Sequence, residues 1–119
     1  MSKTVDWSGL VGRLVRARGY SHSVGYETID LYPSVEAYDK NKKIDERATV
    51  DAQGANWRSW RLLSPEERAQ PVQIWKDDVW TVVGVDVDKD GSLRLVKLAS
   101  PVAQTGWTPH FYRLEVVGG

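Results

Sequence analysis

VQIWKDDVWTVVGVDVDKDGSLRLVKLA, residues 72–99, is the stretch that decides the fold. From Val79 onward, Val79, Thr81, Val83, Val85 and Val87 fall on one side of an extended chain, and Trp80, Val82, Gly84, Asp86 and Asp88 on the other. Alternation of β-branched residues suits a pleated, half-buried strand. A helix would freeze χ1 of each Val and Thr and carry Gly84 in its interior. The run ends in Asp88-Lys89-Asp90-Gly91, and Asp-Gly is a strong hairpin signal because glycine reaches positive φ without steric cost. Ser92 to Ala99 then returns, with Leu93 and Leu95 on one face and Val96 and Leu98 on the other. Apolar residues on both faces predict a strand covered on both sides, or one shifted in face by a bulge. Upstream, Val72 to Trp75 reads as a short strand joined through the polar turn Lys76-Asp77-Asp78. The expectation is a β-meander of three antiparallel strands.

Composition bounds what surrounds that meander. A chain of 119 residues is expected to form a single domain, 1–119, able to bury a modest core without staples. Sixteen basic and sixteen acidic residues cancel, so no global field draws nucleic acid or an anionic membrane. The absence of cysteine excludes a disulfide framework, a thiolate metal site and a cysteine nucleophile. No apolar run reaches the roughly 18–20 residues of a membrane span, and the start lacks the apolar core of a signal peptide. The expected location is therefore the cytoplasm, with no membrane partner. No G-x-G-x-x-G or P-loop pattern occurs, and no cofactor is expected.

Working outward, Trp7, Leu10, Val11, Leu14 and Val15 stand at i, i+3, i+4, i+7 and i+8, which predicts an N-terminal helix over 7–18. Gly9 and Gly12 oppose it at about 1 kcal/mol each, and Gly12 to Ala17 also fits a strand. Gly25 to Tyr32 is a strand candidate stopped by Pro33, and Ser34 is placed to cap a short helix from Val35 to about Asn41. Residues 39–56 are polar and aperiodic, and read as an exposed, mobile excursion with at most one short strand, Arg47 to Val50. Trp57 to Leu63 reads as a strand. Ser64-Pro65-Glu66-Glu67 opens a short helix near 65–70, which Pro71 ends. A long loop over 100–109 leads to a closing strand from Phe111 to Val117, with Tyr112, Leu114 and Val116 facing one way.

Four kinds of site compete. Asp86-x-Asp88-x-Asp90-Gly91 copies the first half of a calcium loop, but Lys97 stands where the bidentate carboxylate belongs, so a charged hairpin tip is the better reading. His22, beside Ser21 and Ser23, and His110 are the only imidazoles; no nucleophile elbow or paired metal-ligand spacing accompanies them. Trp57, Trp60 and Arg58, Arg61, together with Arg13, Arg16 and Arg18, mix aromatics with cations as single-strand nucleic-acid binders do. On a strand, however, Trp57 and Trp60 point to opposite faces, and zero net charge removes the main electrostatic drive. Trp75, Trp80, Trp107 and Tyr112 gather around the sheet, and an open second face would expose Trp80 and Val82 as a sticky patch.

The fold expected is α+β and mostly antiparallel: a twisted sheet or small barrel of five to six strands, an N-terminal helix and one short helix. Strand count and meander resemble Src-homology-type small barrels in architecture, which implies no particular function. The expected function is a non-enzymatic interaction module that binds a protein, or itself as a homodimer, through Trp57, Trp60, Trp75, Trp80, Trp107 and Tyr112. Nucleic-acid binding through the five arginines is the alternative, and a small hydrolase using His22 or His110 ranks third.

Overall fold

The computed structural model describes residues 7–18, 24–51, 63–102 and 104–118, with the backbone alone over 45–51. In chain order they form a 3₁₀ turn (Trp7–Leu10), β1 (Leu14–Ala17), β2 (Tyr26–Leu31), α1 (Val35–Asp51), β3 (Gln70–Trp75), β4 (Trp80–Val87), β5 (Leu93–Ala99), β6 (Thr105–Thr108), a second 3₁₀ turn (Phe111–Arg113) and β7 (Leu114–Val117). Five strands make an antiparallel sheet in the order β6-β5-β4-β1-β7, and β2 and β3 make a separate ribbon. Among the described residues the sheet does not close into a barrel. Sheet and ribbon share one core, in which Ile29, Leu31, Val72 and Ile74 of the ribbon meet Val15, Ala17, Trp80, Val82, Val96, Leu98 and Leu114 of the sheet.

The β4–β5 hairpin forms where the sequence places it. Gly91 sits at φ 87°, its N–H donates to Asp88 O at 2.9 Å, and the Asp88 N–H donates to Ser92 O at 2.8 Å. The faces of β4 differ from the simple alternation. Trp80 and Val82 point into the core, while Val83 is 43% exposed. Val82 pairs with Leu98 and Gly84 with Lys97, so Val83 is an extra residue that re-phases the strand and lets Val85 pack on the core. The large apolar area of Trp80 outweighs that of the valines on the opposite face. A second shift leaves Arg94 between the partners of Asp86 and Val87. β5 is indeed covered on both sides, since Val96 and Leu98 enter the shared core and Leu95, of opposite parity, is also fully buried.

Four expectations need correction. The meander is broken, because β3 pairs with β2 from Tyr26–Trp75 to Leu31–Gln70 and not with β4. The Asp78 carboxylate accepts the Trp75 N–H at 3.1 Å and the Asp78 N–H donates to Trp75 O at 2.9 Å, so the turn caps β3 and sends the chain into the other sheet. The N-terminal helix over 7–18 is absent. After the 3₁₀ turn, Gly12 adopts φ 90°, and β1 then pairs with β4 on one side and β7 on the other. Two ladders satisfy this backbone, against which a helix carrying two glycines does not compete. The helix near 65–70 is a single turn. Ser64 Oγ donates to Glu67 Oε1 at 3.0 Å and the Glu67 N–H to Ser64 O at 2.9 Å, after which the chain enters β3 at once.

The fourth correction concerns 39–56, most of which is not an aperiodic excursion. α1 runs through it to Asp51 and includes the expected strand Arg47 to Val50. Ser34 does cap it, accepting the Ala37 N–H on Oγ at 3.0 Å. Polar ties hold the helix where an apolar stripe is missing. Buried Asn41 donates to Ala37 O at 2.7 Å and also to Glu67 O, and Arg94 spans Asp39 at 2.9 Å and Asp86 at 2.8 Å beside the Tyr38 ring. Of the strand expected over Trp57 to Leu63, all but Leu63 lies outside the described residues. No helix among the described residues is long and apolar enough to cross a membrane.

Candidate functional site

The two margins of the five-stranded sheet are finished differently. At the β7 margin, the Arg18 N–H donates to Arg113 O at 2.8 Å. Antiparallel alternation then makes Arg16–Glu115 and Leu14–Val117 the hydrogen-bonded pairs, which turns the backbone groups of Leu114 and Val116 to the other side. Phe111 O takes the Leu114 N–H. Among the described residues no strand pairs with this side, and Val116 is 45% exposed.

Beside that open edge the core widens into an apolar pocket of about 180 Å³. Buried Val15, Val82 and Val96 form its floor, and half-buried Trp7, Leu10, Leu93 and Phe111 form its rim with Leu114 and Val116 of β7. The Trp7 indole is pinned across the mouth, because Nε1 donates to Gly91 O of the hairpin tip at 3.0 Å. Among the described residues no charged side chain lines the pocket. An apolar cavity of this order accepts a benzene-sized ring and excludes ions. A strand edge with a pocket alongside is the arrangement that takes an extended chain, with backbone bonds for affinity and a pocket for selectivity.

The opposite margin is covered at Trp107. Tyr32 and Trp107 exchange backbone bonds of 2.7 and 2.8 Å, the bridge that joins ribbon to sheet. Beyond it, side chains take over from backbone along β2. The Asp30 N–H donates to His110 Nδ1 at 3.2 Å, and Arg113 Nη1 donates to Thr28 O at 2.8 Å while lying 3.5 Å from the Glu27 carboxylate. Accepting at Nδ1 makes His110 a neutral ring protonated at Nε2. Burial holds it below the ordinary imidazole range, with Asp30 opposing and Arg113 reinforcing that shift. A hydrolytic base needs the reverse arrangement, Nδ1–H donating to an orienting carboxylate. His110 is thus occupied as a fastener, and His22 lies outside the described residues.

The aromatic candidates do not gather into one patch. Trp80 is 3% exposed and belongs to the core with Val82, and the bulge at Val83 brings Val85 onto that same buried side. Trp75, 47% exposed, packs on Tyr26 at 4.7 Å on the outer side of the ribbon. Trp107 lies over Gly84 of β4 with Lys97 Nζ at 5.8 Å, and Tyr112 is 59% exposed beside His110 and Arg113. Trp57 and Trp60, with Arg58 and Arg61, lie outside the described residues. Of the other arginines, Arg16 is paired with Glu115 at 2.6 Å, and Arg18 is exposed just beyond the end of β1. Arg13 precedes the strand, its carbonyl accepting the Val82 N–H at 2.9 Å.

The three aspartates of the hairpin are turned to separate partners. Asp86 accepts from Arg94, Asp88 from the Lys89 amide at 2.8 Å, and Asp90 from the Ser92 amide at 2.9 Å and its hydroxyl. Among the described residues no group of three His, Cys, Asp or Glu is placed to hold a metal ion. Sequence reasoning put Leu114 and Val116 on one face, but singled out neither them nor Trp7, Leu10 and Phe111. The missing signal is the strand order, which no local pattern carries. Comparison with known proteins finds no matching family model, no matching curated protein and no matching solved structure.

Proposed function

We propose that this protein is a non-enzymatic interaction module that captures an extended segment of a partner protein along β7, with one bulky apolar side chain seated in the neighbouring pocket. The observation that carries this reading is the coincidence, among the described residues, of an unpaired strand edge with an uncharged pocket of about 180 Å³ opening beside it. Backbone groups of Val116 supply the ladder, and Trp7, Leu10 and Phe111 supply the apolar grip. A pocket whose described lining is wholly apolar selects by size and apolarity, so an aromatic or leucine side chain is favoured over a polar one.

The test is a titration of heptapeptides of alternating Thr and Val, carrying Phe, Leu or Ala at the centre, into isotope-labelled protein. Chemical-shift changes at Leu114 to Val117 and at the pocket side chains, with Phe and Leu binding more tightly than Ala, support the reading. Changes confined to Tyr26 and Trp75 place recognition on the ribbon and overturn it. Concentration-dependent dimer formation that protects Val116 assigns the edge to a second copy of the chain. Salt-sensitive binding of single-stranded oligonucleotides, with no response to peptides, moves the function to the arginines.

A further inference from the structure

The turn Phe111–Arg113 has two duties. Its flanking and terminal side chains, His110 and Arg113, fasten the edge of β2, while Phe111 between them forms part of the pocket rim. The same turn leads directly into β7, and its Phe111 carbonyl accepts the first amide of that strand. Whatever loosens the fastener therefore reaches the pocket wall within one residue.

The fastener has one titratable acceptor. Protonation of His110 puts a hydrogen on Nδ1, where the Asp30 N–H now points, and an acceptor becomes a second donor. The charged groups facing the ring are the Asp30 carboxylate on β2, Arg113 on the turn, and Glu27 on β2 through its pairing with Arg113; Tyr112 stacks edge-on at 5.8 Å. Burial and Arg113 oppose the imidazolium and outweigh Asp30, which favours it, so the ring is held neutral at pH 7 and takes up its proton below the ordinary imidazole range.

We propose that protonation of His110 unfastens the Phe111–Arg113 turn from β2 and loosens the pocket wall, so that acid weakens capture of the partner segment. This inference rests on the proposed function for its consequence, but its first step belongs to the free protein. Two-state elements that read pH in this way need only a small gap biased by one buried histidine.

The experiment is a nuclear magnetic resonance titration of the full chain from pH 7.5 to 5, followed by the Phe-centred heptapeptide at both ends. The His110 ring, the Asp30 amide and the Phe111 and Leu114 side-chain signals are expected to share one midpoint, with Asp30 amide protection falling on the acid side. Affinity for the heptapeptide then falls along the same titration curve, in proportion to the fraction of molecules whose turn stays fastened. In His110→Asn, which keeps an acceptor near the Nδ1 position and does not titrate, both effects vanish. His110→Ala shows the loosened signals at every pH. An Asp30 amide and Phe111 ring that stay constant while the His110 ring titrates overturn the inference, as does a coupled titration that leaves heptapeptide affinity unchanged. A heptapeptide that binds at no pH, with the coupled titration present, defeats the partner reading alone and leaves the proton-sensitive fastener standing.

Discussion

The β6 and β7 margins face the same physical problem and meet it in opposite ways. Each terminates a sheet, and each would present unpaired backbone groups to water or to another chain. At β6 the Tyr32–Trp107 bridge hands over to His110 and Arg113, so the outward groups of β2 are met by backbone first and side chains after. At β7 nothing among the described residues takes that role, and the core beneath is left with a pocket. Both margins are reached by the same short segment, Pro109 to Leu114, which closes one and borders the other. Two polar side chains cover the edge of β2 beside one margin, while among the described residues the β7 edge at Val116 has no such cover, which is the contrast that supports the proposed docking.

The contrast can be broken most severely through what supports both margins. Trp80→Ala removes the largest side chain of the shared core and is expected to cost about 3–5 kcal/mol in chemical denaturation, whereas exposed Trp75→Ala changes stability by less than about 1 kcal/mol. Next is the covered margin itself. A Cβ on Gly106 of β6 would stand 2.8 Å from Leu31 Cβ, so Gly106→Ala forces ribbon and sheet apart at about 1–3 kcal/mol. Arg113→Ala strips the Thr28 carbonyl and Glu27 of their partner and costs about 1–2 kcal/mol, with faster exchange along β2 as its local sign.

The pH dependence of stability sharpens the same seam. His110 has a folded value lowered by burial, so the unfolded chain binds its proton more readily. Its contribution is fully present above the unfolded imidazole value of about 6.5, and is lost as the pH falls from there through the folded value. Denaturation midpoints of the native chain are expected to decline over that interval relative to those of His110→Asn, and parallel profiles would show that the ring does not matter to the seam. The smallest effect on stability belongs to the open margin. Val116→Lys is expected to shift it by no more than about 0.5 kcal/mol while abolishing heptapeptide binding. A large loss of stability there would mean that the edge is already covered in the free protein.

How much of this the sequence shows depends on how local each cause is. The hairpin at Asp88–Gly91 is written in adjacent residues, and so are the β2 strand and the Ser34 cap. β1 was hidden because Trp7, Leu10, Leu14 and Val15 mimic a helical stripe by coincidence, while its four strand residues draw their stability from β4 and β7. β6 is equally short and carries a glycine chosen for contact with Leu31, so the stretch reads as loop. α1 lacks an apolar stripe because Asn41, Lys40 and Asp39 anchor it through polar ties to residues distant in sequence. The seam is less legible still, since His110 meets Asp30 across a separation of 80 residues. The pocket and the open edge follow from the strand order, and became visible only with it.

The unequal margins can be read directly by amide hydrogen exchange resolved to single residues. The Val116 N–H is expected to exchange near the rate of an unprotected amide in the free chain and to become protected when the Phe-centred heptapeptide binds, while the Tyr32 and Asp30 amides stay protected throughout at neutral pH. A Val116 amide as slow as that of Tyr32 in the free monomer would contradict the account, because the edge offered to a partner would then be closed.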